Sequence, residues 1–167
     1  MQQLYLITCT KRKHSKRMPA KNLYTASELF SLARDFVERS LARMKAEGIK
    51  GGWFILSAKH HLLDPEREIE PYDETLYDKT PKQRQKWAEE VVEQLMKYCH
   101  TRGFDPLQTR ITILAGYVYT EYLIPRLRHE GFQVDAPWLE EKPRGLRGQW
   151  NIMRWRKKWL RQKLATL

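Results

Sequence analysis

The feature that most constrains the fold is a wholly apolar run, Trp53 to Leu56, which ends abruptly at the polar residues Ser57, Lys59, His60 and His61. Glycines precede the run, and its length and composition are typical of a strand buried on both faces of a parallel sheet. The polar residues therefore lie at the carboxyl end of that strand. In open α/β sheets ligands bind at this end, because the loops there leave a crevice between helices on opposite faces.

Three other segments are also predicted to be strands. Leu4 to Cys9 ends at a basic loop, Ile111 to Ala115 ends at Gly116, and Gly131 to Ala136 is shorter. Helical periodicity and capping signals predict helices between and after them, over about residues 25–47, 81–102, 117–129 and 149–164. This alternation favours an α/β fold, a three-layer sandwich around a mostly parallel sheet of about four strands.

The passage from Lys59 to Lys79 is predicted to be an extended, irregular loop, because Pro65 and Pro71 each disfavour a helix at the residue before them. A loop of this length inside a compact domain is usually functional or a misassigned element. We favour a functional loop.

Length and composition indicate a single domain. The 167 residues fit one α/β domain over residues 1–155, followed by a basic helical extension over residues 156–167 that continues the last helix. No apolar run is long enough to cross a bilayer, so we expect no membrane association and a cytoplasmic location. Cys9 and Cys99 have neither disulfide nor metal-ligand spacing, and we expect both to be reduced.

The positive charge is concentrated in two segments. Residues 11–22 carry +6 and residues 142–167 carry +9 without a single acidic residue, so the overall +11 leaves −4 for the rest of the chain. Such a distribution is typical of a surface that meets phosphates. The alternative is that the basic runs only keep the protein in solution.

Several motifs that would identify a class of enzyme are missing. The chain has no phosphate-binding Gly-x-x-x-x-Gly-Lys-Ser/Thr loop, no Gly-x-Gly-x-x-Gly, no His-Glu-x-x-His and no Gly-x-Ser-x-Gly. The five histidines are not spaced as a metal site, and we predict neither a metal nor a cofactor.

The candidate site follows from topology. Parallel strands would deliver their polar ends to one edge of the sheet, where the loop carrying Glu70 could fold over them. The candidates for nucleophile or proton transfer are Cys9, Ser57, His60 and Glu70, and those for substrate binding are Thr10, Lys11, Lys13, Lys59, Tyr72, Asp73, Gly116 and Tyr119. Each also has a structural interpretation: Cys9 would pack in the core, Ser57 would cap the backbone, Gly116 would form a turn and the loop would be a strap.

A second candidate surface combines cations and tryptophans. The predicted nucleic-acid contacts are Arg12, Lys16, Arg17, Arg154, Arg156, Lys157, Lys158 and Arg161. Trp150 precedes the last five, and Trp155 and Trp159 lie between them. Cations bind phosphates, and exposed tryptophan stacks on unpaired bases. Alternatively, the apolar side chains dock the last helix while its cations face water.

Four ordered blocks resemble an uncharacterised bacterial and phage domain family with the patterns Cys-x-Lys-x-Lys, Leu-Tyr-x-Ser-x-Leu-Phe, Leu-Ser-Ala-Lys-x-Gly-Leu-Leu and Pro-Tyr-Asp-x-Thr-Leu. They are Cys9 to Lys13, Leu23 to Phe30, Trp53 to Leu63 and Ile69 to Leu76. The resemblance implies an α/β domain, distantly similar to YaaA-like peroxide-stress proteins and to domains that accompany nucleic-acid base modification. It implies no established activity. This chain departs from the pattern at His61, where the family has glycine.

Three functions remain open from the sequence. The first is an enzyme that acts on a nucleotide or on a base within nucleic acid. In this hypothesis Lys11 and Lys59 bind phosphate and His60 or Glu70 moves a proton. The second is a non-catalytic DNA or RNA binder, and the third is a subunit of a larger modification or defence complex, whose protein partners are unknown.

Overall fold

The computed structural model describes residues 1–167, and its centre is a five-stranded sheet with the order β4-β3-β1-β6-β7. Neighbouring pairs among β3, β1, β6 and β7 are parallel, and β4 pairs antiparallel with β3. A separate two-stranded ribbon joins β2 to β5. The strands are β1 (Gln2–Thr8), β2 (Met18–Pro19), β3 (Lys50–Ser57), β4 (His61–Leu63), β5 (Glu68–Ile69), β6 (Thr109–Leu114) and β7 (Gln133–Asp135).

Seven α-helices surround the sheet: α1 (Ala20–Leu23), α2 (Glu28–Ala46), α3 (Pro81–Arg102), α4 (Tyr117–Thr120), α5 (Leu123–His129), α6 (Pro137–Glu140) and α7 (Gln149–Ala165). Short 3₁₀ turns cover Tyr24–Ala26, Leu76–Asp78 and Pro106–Gln108. None of these helices has the combination of length and hydropathy that crossing a bilayer would require.

Alternation along the strands divides the core into two halves. On β1, Leu4 and Leu6 face the layer that contains α3 and α5, whereas Tyr5 and Ile7 face the layer that contains α2 and α7. Both halves consist of fully buried aliphatic and aromatic side chains. The predicted α/β architecture with a mostly parallel sheet is confirmed, and the two covered faces make it a three-layer sandwich.

The first long helix begins later than the sequence predicted. The sequence predicts its start at about residue 25, but the helix begins at Glu28, and the Thr25 hydroxyl donates to the carbonyl of Asn22 at 2.6 Å. Ser27 is the cap, and its Oγ accepts from the amide of Phe30 at 3.3 Å. The residues before it form the 3₁₀ turn, which turns Tyr24 into the core.

The passage from Lys59 to Lys79 is more ordered than predicted, since it contains β4 and β5. His61 makes this possible: it takes a left-handed φ of 63° and pairs with Ser57 across a tight turn. The backbone therefore adopts the conformation that glycine, the usual residue of the resembling family, favours. The His61 side chain reaches α3, where its Nε2 contacts Glu90 Oε2 at 2.5 Å.

The last helix belongs to the same packed body as the sheet. Residues beyond 155 continue α7 without a break, and Trp159 and Leu160 from this part are buried in the half of the core next to α2. The segment predicted as an extension thus contributes to the core.

Candidate functional site

Three parallel strands, β1, β3 and β6, end side by side. We call the place where they end, at Cys9, Ser57 and Gly116, the carboxyl edge. Thr8 pairs with Leu56, and Ile7 pairs with Leu114. The Cys9 amide donates to the carbonyl of Leu56 at 2.9 Å, which ties the first residue after β1 to the end of β3. The predicted convergence of these three strand ends is therefore present in the structure.

A chain of three hydroxyl groups lies beneath this edge. The Tyr72 hydroxyl is hydrogen-bonded to the Ser57 hydroxyl at 2.7 Å and also to the Tyr24 hydroxyl. Tyr72 comes from the long loop, which thus folds back over the strand ends. We call these three residues the hydroxyl chain, because each side-chain oxygen contacts the next.

Ser57 has a visible structural role in this chain. It is fully buried, and its Oγ also accepts from the amide of His60 at 3.0 Å, which closes the turn after β3. Its carbonyl accepts from Trp87 Nε1 at 2.9 Å. Ser57 therefore orders the backbone here, while its role as a nucleophile stays a prediction.

Burial raises the pKa of Tyr24 and of Tyr72, and the nearby Cys9 raises both further. The same two causes, burial first, raise the pKa of Tyr119. All three phenols consequently stay protonated over the physiological range and serve as hydrogen-bond donors as well as acceptors.

Cys9 lies at the centre of this group. It is half-buried, it contacts both halves of the core, and its thiol donates to the Tyr119 hydroxyl at 3.6 Å. The Tyr119 ring packs edge-on against Trp87, with ring centroids 5.6 Å apart. The thiol of Cys99, by contrast, lies on the buried face of α3, and burial raises its pKa to about 11.

Two lysines lie over the Tyr72 ring. Lys13 Nζ is 4.5 Å from the ring centroid and Lys59 Nζ is 5.8 Å from it, so both are within cation–π range. Burial lowers the pKa of Lys13, while Cys9 and Asp73 oppose that shift. Lys13 Nζ also donates to the carbonyl of Lys11 at 3.2 Å, which holds the basic loop after β1 against the edge.

His60 completes the cluster. Its ring is edge-on to Tyr72 with centroids 5.4 Å apart. Burial lowers the pKa of His60, and the positive charges of Arg67 and Lys59 add to this effect while Glu74 opposes it. The imidazole is therefore neutral at pH 7 and able to accept a proton.

Other predicted site residues lie at the margin of the edge. Glu70 is exposed and faces Arg17 at 3.5 Å, so these two predicted residues pair with each other. The Thr10 hydroxyl donates to the carbonyl of Arg12 at 3.2 Å. Five further predicted residues in this region are exposed: Lys11, Arg12, Lys16, Lys59 and Asp73.

The predicted nucleic-acid contacts on α7 divide into three groups. Arg154 and Lys158 are exposed beside Trp150, which is 75% exposed, and line an open hollow of about 650 Å³. We call these three residues the α7 basic face. Lys157 and Arg161 also line this hollow but pair with Glu28 of α2. Arg156 points inward, with its guanidinium 4.9 Å from the Trp138 ring.

Sequence reasoning missed Tyr24 and Trp87. The sequence predicts Tyr24 just before the helix over about residues 25–47 and Trp87 within the helix over 81–102, so neither was assigned to the site. A usable signal existed for Tyr24, because it and Tyr72 belong to two of the four blocks that carry the family resemblance. Periodicity offers no such signal for Trp87, whose indole N–H reaches the end of β3 only in the folded chain.

No group of three or more His, Cys, Asp or Glu side chains is arranged to hold a metal ion. Among known proteins, neither a curated protein nor a solved structure matches this chain. A family model does match over residues 4–151, which is most of the chain, and it ends within the first turn of α7. The chain therefore belongs to the family of unknown function DUF6884.

Proposed function

We propose that the protein is an enzyme that acts on a nucleotide or on a base within nucleic acid, with its pocket at the carboxyl edge. One observation carries the proposal: a half-buried thiol, a chain of protonated hydroxyls, a neutral imidazole and unpaired lysines lie around one phenol ring, that of Tyr72. Groups that move protons and groups that bind phosphate are thus adjacent.

The cations of the edge support a phosphate-bearing ligand. Lys11, Lys13 and Lys59 form no ion pair, whereas Arg84 pairs with Glu121 at 2.7 Å and Arg110 with Asp135 at 3.3 Å elsewhere in the fold. Free ammonium groups beside a low-polarity surface attract anions, and phosphate is the anion that lysine commonly binds.

The proton-transfer groups support a catalytic role. In this proposal His60 accepts a proton from the ligand, because its imidazole is neutral at pH 7. The Tyr72 hydroxyl, fixed by Ser57 and Tyr24, donates a hydrogen bond to the ligand, and Cys9 is the candidate nucleophile. Two unpaired thiols agree with a reducing, cytoplasmic location, which belongs to the same proposal.

The experiment is a search for conversion products. Purified protein is incubated with a nucleotide mixture and, separately, with short DNA and RNA strands, and mass spectrometry then records every change in mass. We expect one substrate to be converted by the natural sequence and by Cys99→Ser, but not by Cys9→Ser. An unchanged mass spectrum with all substrates would contradict the enzymatic proposal, and full activity of Cys9→Ser would remove Cys9 from it.

The α7 basic face supports a second candidate function, a non-catalytic nucleic-acid binder. Trp150 is exposed between cations, an arrangement that suits stacking on an unpaired base. The test is a salt titration of single-strand binding with Trp150→Ala and Arg154→Gln. A steep loss of affinity with salt that flattens in Arg154→Gln supports this function, and a salt-insensitive affinity contradicts it.

A further inference from the structure

Arg156 is a guanidinium turned into the protein without an acidic partner. It lies in the middle of α7, its Cζ is 4.9 Å from the centroid of the Trp138 ring, and its Nε is buried with no hydrogen-bond partner. Burial lowers the pKa of Arg156, and only the Tyr77 hydroxyl opposes that effect. Arg156 as a whole is half-buried, and a cation partly removed from water without a compensating anion is costly to the folded state.

Other groups on the same helix do have acidic partners. Lys157 and Arg161 both reach Glu28, and Trp159 Nε1 donates to Glu141 Oε1 at 3.1 Å. The missing partner of Arg156 is therefore a local feature of its position, and an external anion would supply what the protein does not.

The guanidinium reaches the carboxyl edge. A Cβ atom added at Gly116 would lie 3.0 Å from Nη2 of Arg156, so the backbone after β6 and the guanidinium are in close approach. Gly116 is buried and lies just beyond β6, the strand that pairs with β1, and Cys9 directly follows β1. Arg156 thus approaches from one side the same edge that Lys13 and Lys59 cover from the other.

Two aromatic rings are exposed beside this position. Tyr77 is 69% exposed and packs against Tyr119, with centroids 6.3 Å apart, and Tyr117 directly follows Gly116 and is 65% exposed. Exposed phenol rings next to a free guanidinium offer a face for a planar base and a charge for its phosphate.

We propose that Arg156, where it passes Gly116, is the binding group for the 5′-phosphate of a nucleotide whose base stacks on Tyr77 or Tyr117. The nucleotide is either free or the first residue of a strand, since both present the same group. This inference rests on the proposed function and deepens it, because it names the ligand and the residue that selects it.

The experiment is a calorimetric titration with matched probes. The free probes are the four nucleoside 5′-monophosphates and the corresponding nucleosides. The strand probes are short single-stranded DNA oligonucleotides of mixed sequence, with and without a 5′-phosphate. The proteins are the natural sequence, Arg156→Met and the control Lys163→Met, which removes another α7 cation that lies over a tryptophan ring, that of Trp159.

For the natural sequence and Lys163→Met we expect a 5′-phosphate to increase affinity by about tenfold or more, and in Arg156→Met we expect that preference to disappear. If the 5′-phosphate increases affinity only for the free probes, the ligand is a free nucleotide. If it increases affinity only for the strand probes, the ligand is a strand end. Phosphate-dependent binding that Arg156→Met retains overturns the subsite and leaves the proposed function standing. If the natural sequence binds no probe, both fail.

Stability separates a binding role from a structural one. Arg156→Met keeps an unbranched stem over Trp138 and removes an unpaired charge, so it should unfold at the same temperature as the natural sequence or a higher one. A markedly lower unfolding temperature would contradict the proposal. Gly116→Ala is the second variant: its φ of −85° accepts alanine, and the added methyl displaces the flexible guanidinium. We expect it to weaken phosphate binding severalfold in a folded protein, and unchanged binding would count against the subsite.

Discussion

The two ends of the parallel sheet use polar side chains in opposite ways. At the amino end, which we call the amino edge, Gln2 Nε2 donates to the carbonyl of Gly103 at 3.1 Å, and its Oε1 accepts from the Asp105 amide at 2.9 Å. Thr109 Oγ1 donates to the same Oε1 at 2.8 Å, and Lys50 reaches the carbonyl of Arg102. Most of these polar side chains are hydrogen-bonded to the backbone.

At the carboxyl edge several polar side chains contact one another as well as the backbone. Hydroxyl meets hydroxyl along Tyr24, Tyr72 and Ser57, and the thiol of Cys9 meets a phenol. The cations above them have no carboxylate partner within ion-pair distance. The polar groups of the amino edge thus find their hydrogen-bond partners within the protein. The carboxyl edge, in contrast, retains hydrogen-bonding capacity and positive charge that a ligand can use.

The largest effect on stability should come from the residue that supports the carboxyl edge from below. Trp87→Ala removes a buried indole and leaves the Ser57 carbonyl without its donor, so we expect a loss of about 3–5 kcal/mol in the free energy of unfolding. Trp87→Phe keeps an aromatic ring and should lose less. Urea titration measures both, and a Trp87→Ala variant as stable as the natural protein would contradict this packing.

A smaller loss is expected at the amino edge. Gln2→Ala removes the three hydrogen bonds of one side chain, which should lower the free energy of unfolding by about 1–3 kcal/mol. Nucleotide affinity should not change in the folded variant, because Gln2 is at the opposite end of β1 from Cys9. A Gln2→Ala variant that folds normally but loses ligand affinity would contradict the claim that only the carboxyl edge binds the ligand.

Tyr72→Phe should do the reverse of Gln2→Ala and affect function more than stability. It removes one hydroxyl that Ser57 and Tyr24 share, at a cost of about 1 kcal/mol in unfolding free energy, but it should abolish the conversion sought above. The control is Tyr98→Phe on α3, whose ring packs against Phe54 and Phe104 away from the cluster. Equal activity of the two variants would remove the hydroxyl chain from the mechanism.

The smallest effect is a pH dependence of stability from His60, whose pKa is lowered in the folded state. Its contribution is fully present above the unfolded pKa of about 6.5 and is lost as the pH falls toward the lower folded value, because the unfolded chain takes up the proton first. The natural protein should therefore lose slightly more stability than His60→Gln between about pH 7.5 and 5 in urea titrations. The control is His129→Gln on the exposed side of α5, and identical slopes for all three proteins would contradict the assignment.

Much of the fold could be predicted because its signals are local. Each central strand contains a short apolar run that ends at glycine or at polar residues, and parallel pairing then brings the ends of β1, β3 and β6 together. β4 escaped prediction since its turn depends on His61 in a left-handed conformation, which side chains seldom adopt.

The contacts within the site could be predicted only in part. Tyr24 meets Tyr72 across 48 positions of sequence, a pairing that no periodicity encodes. Arg156 was grouped with the surface cations because it belongs to a basic run. Its spacing from Met153 and Leu160, three and four residues apart, places it instead on the docking face of α7. The basic run predicts an exposed Arg156, whereas its helical spacing predicts one that faces the protein, and the structure agrees with the spacing.

The most direct test of the central claim is a map of backbone amide chemical shifts during titration with a 5′-phosphorylated nucleotide or strand. The account predicts changes concentrated at Cys9 to Lys13, Ser57 to His60 and Gly116 to Tyr119, with the amides of Gln2, Lys50 and Thr109 unmoved. Changes confined to the amino edge or to the α7 basic face would contradict the claim that the carboxyl edge is the ligand site.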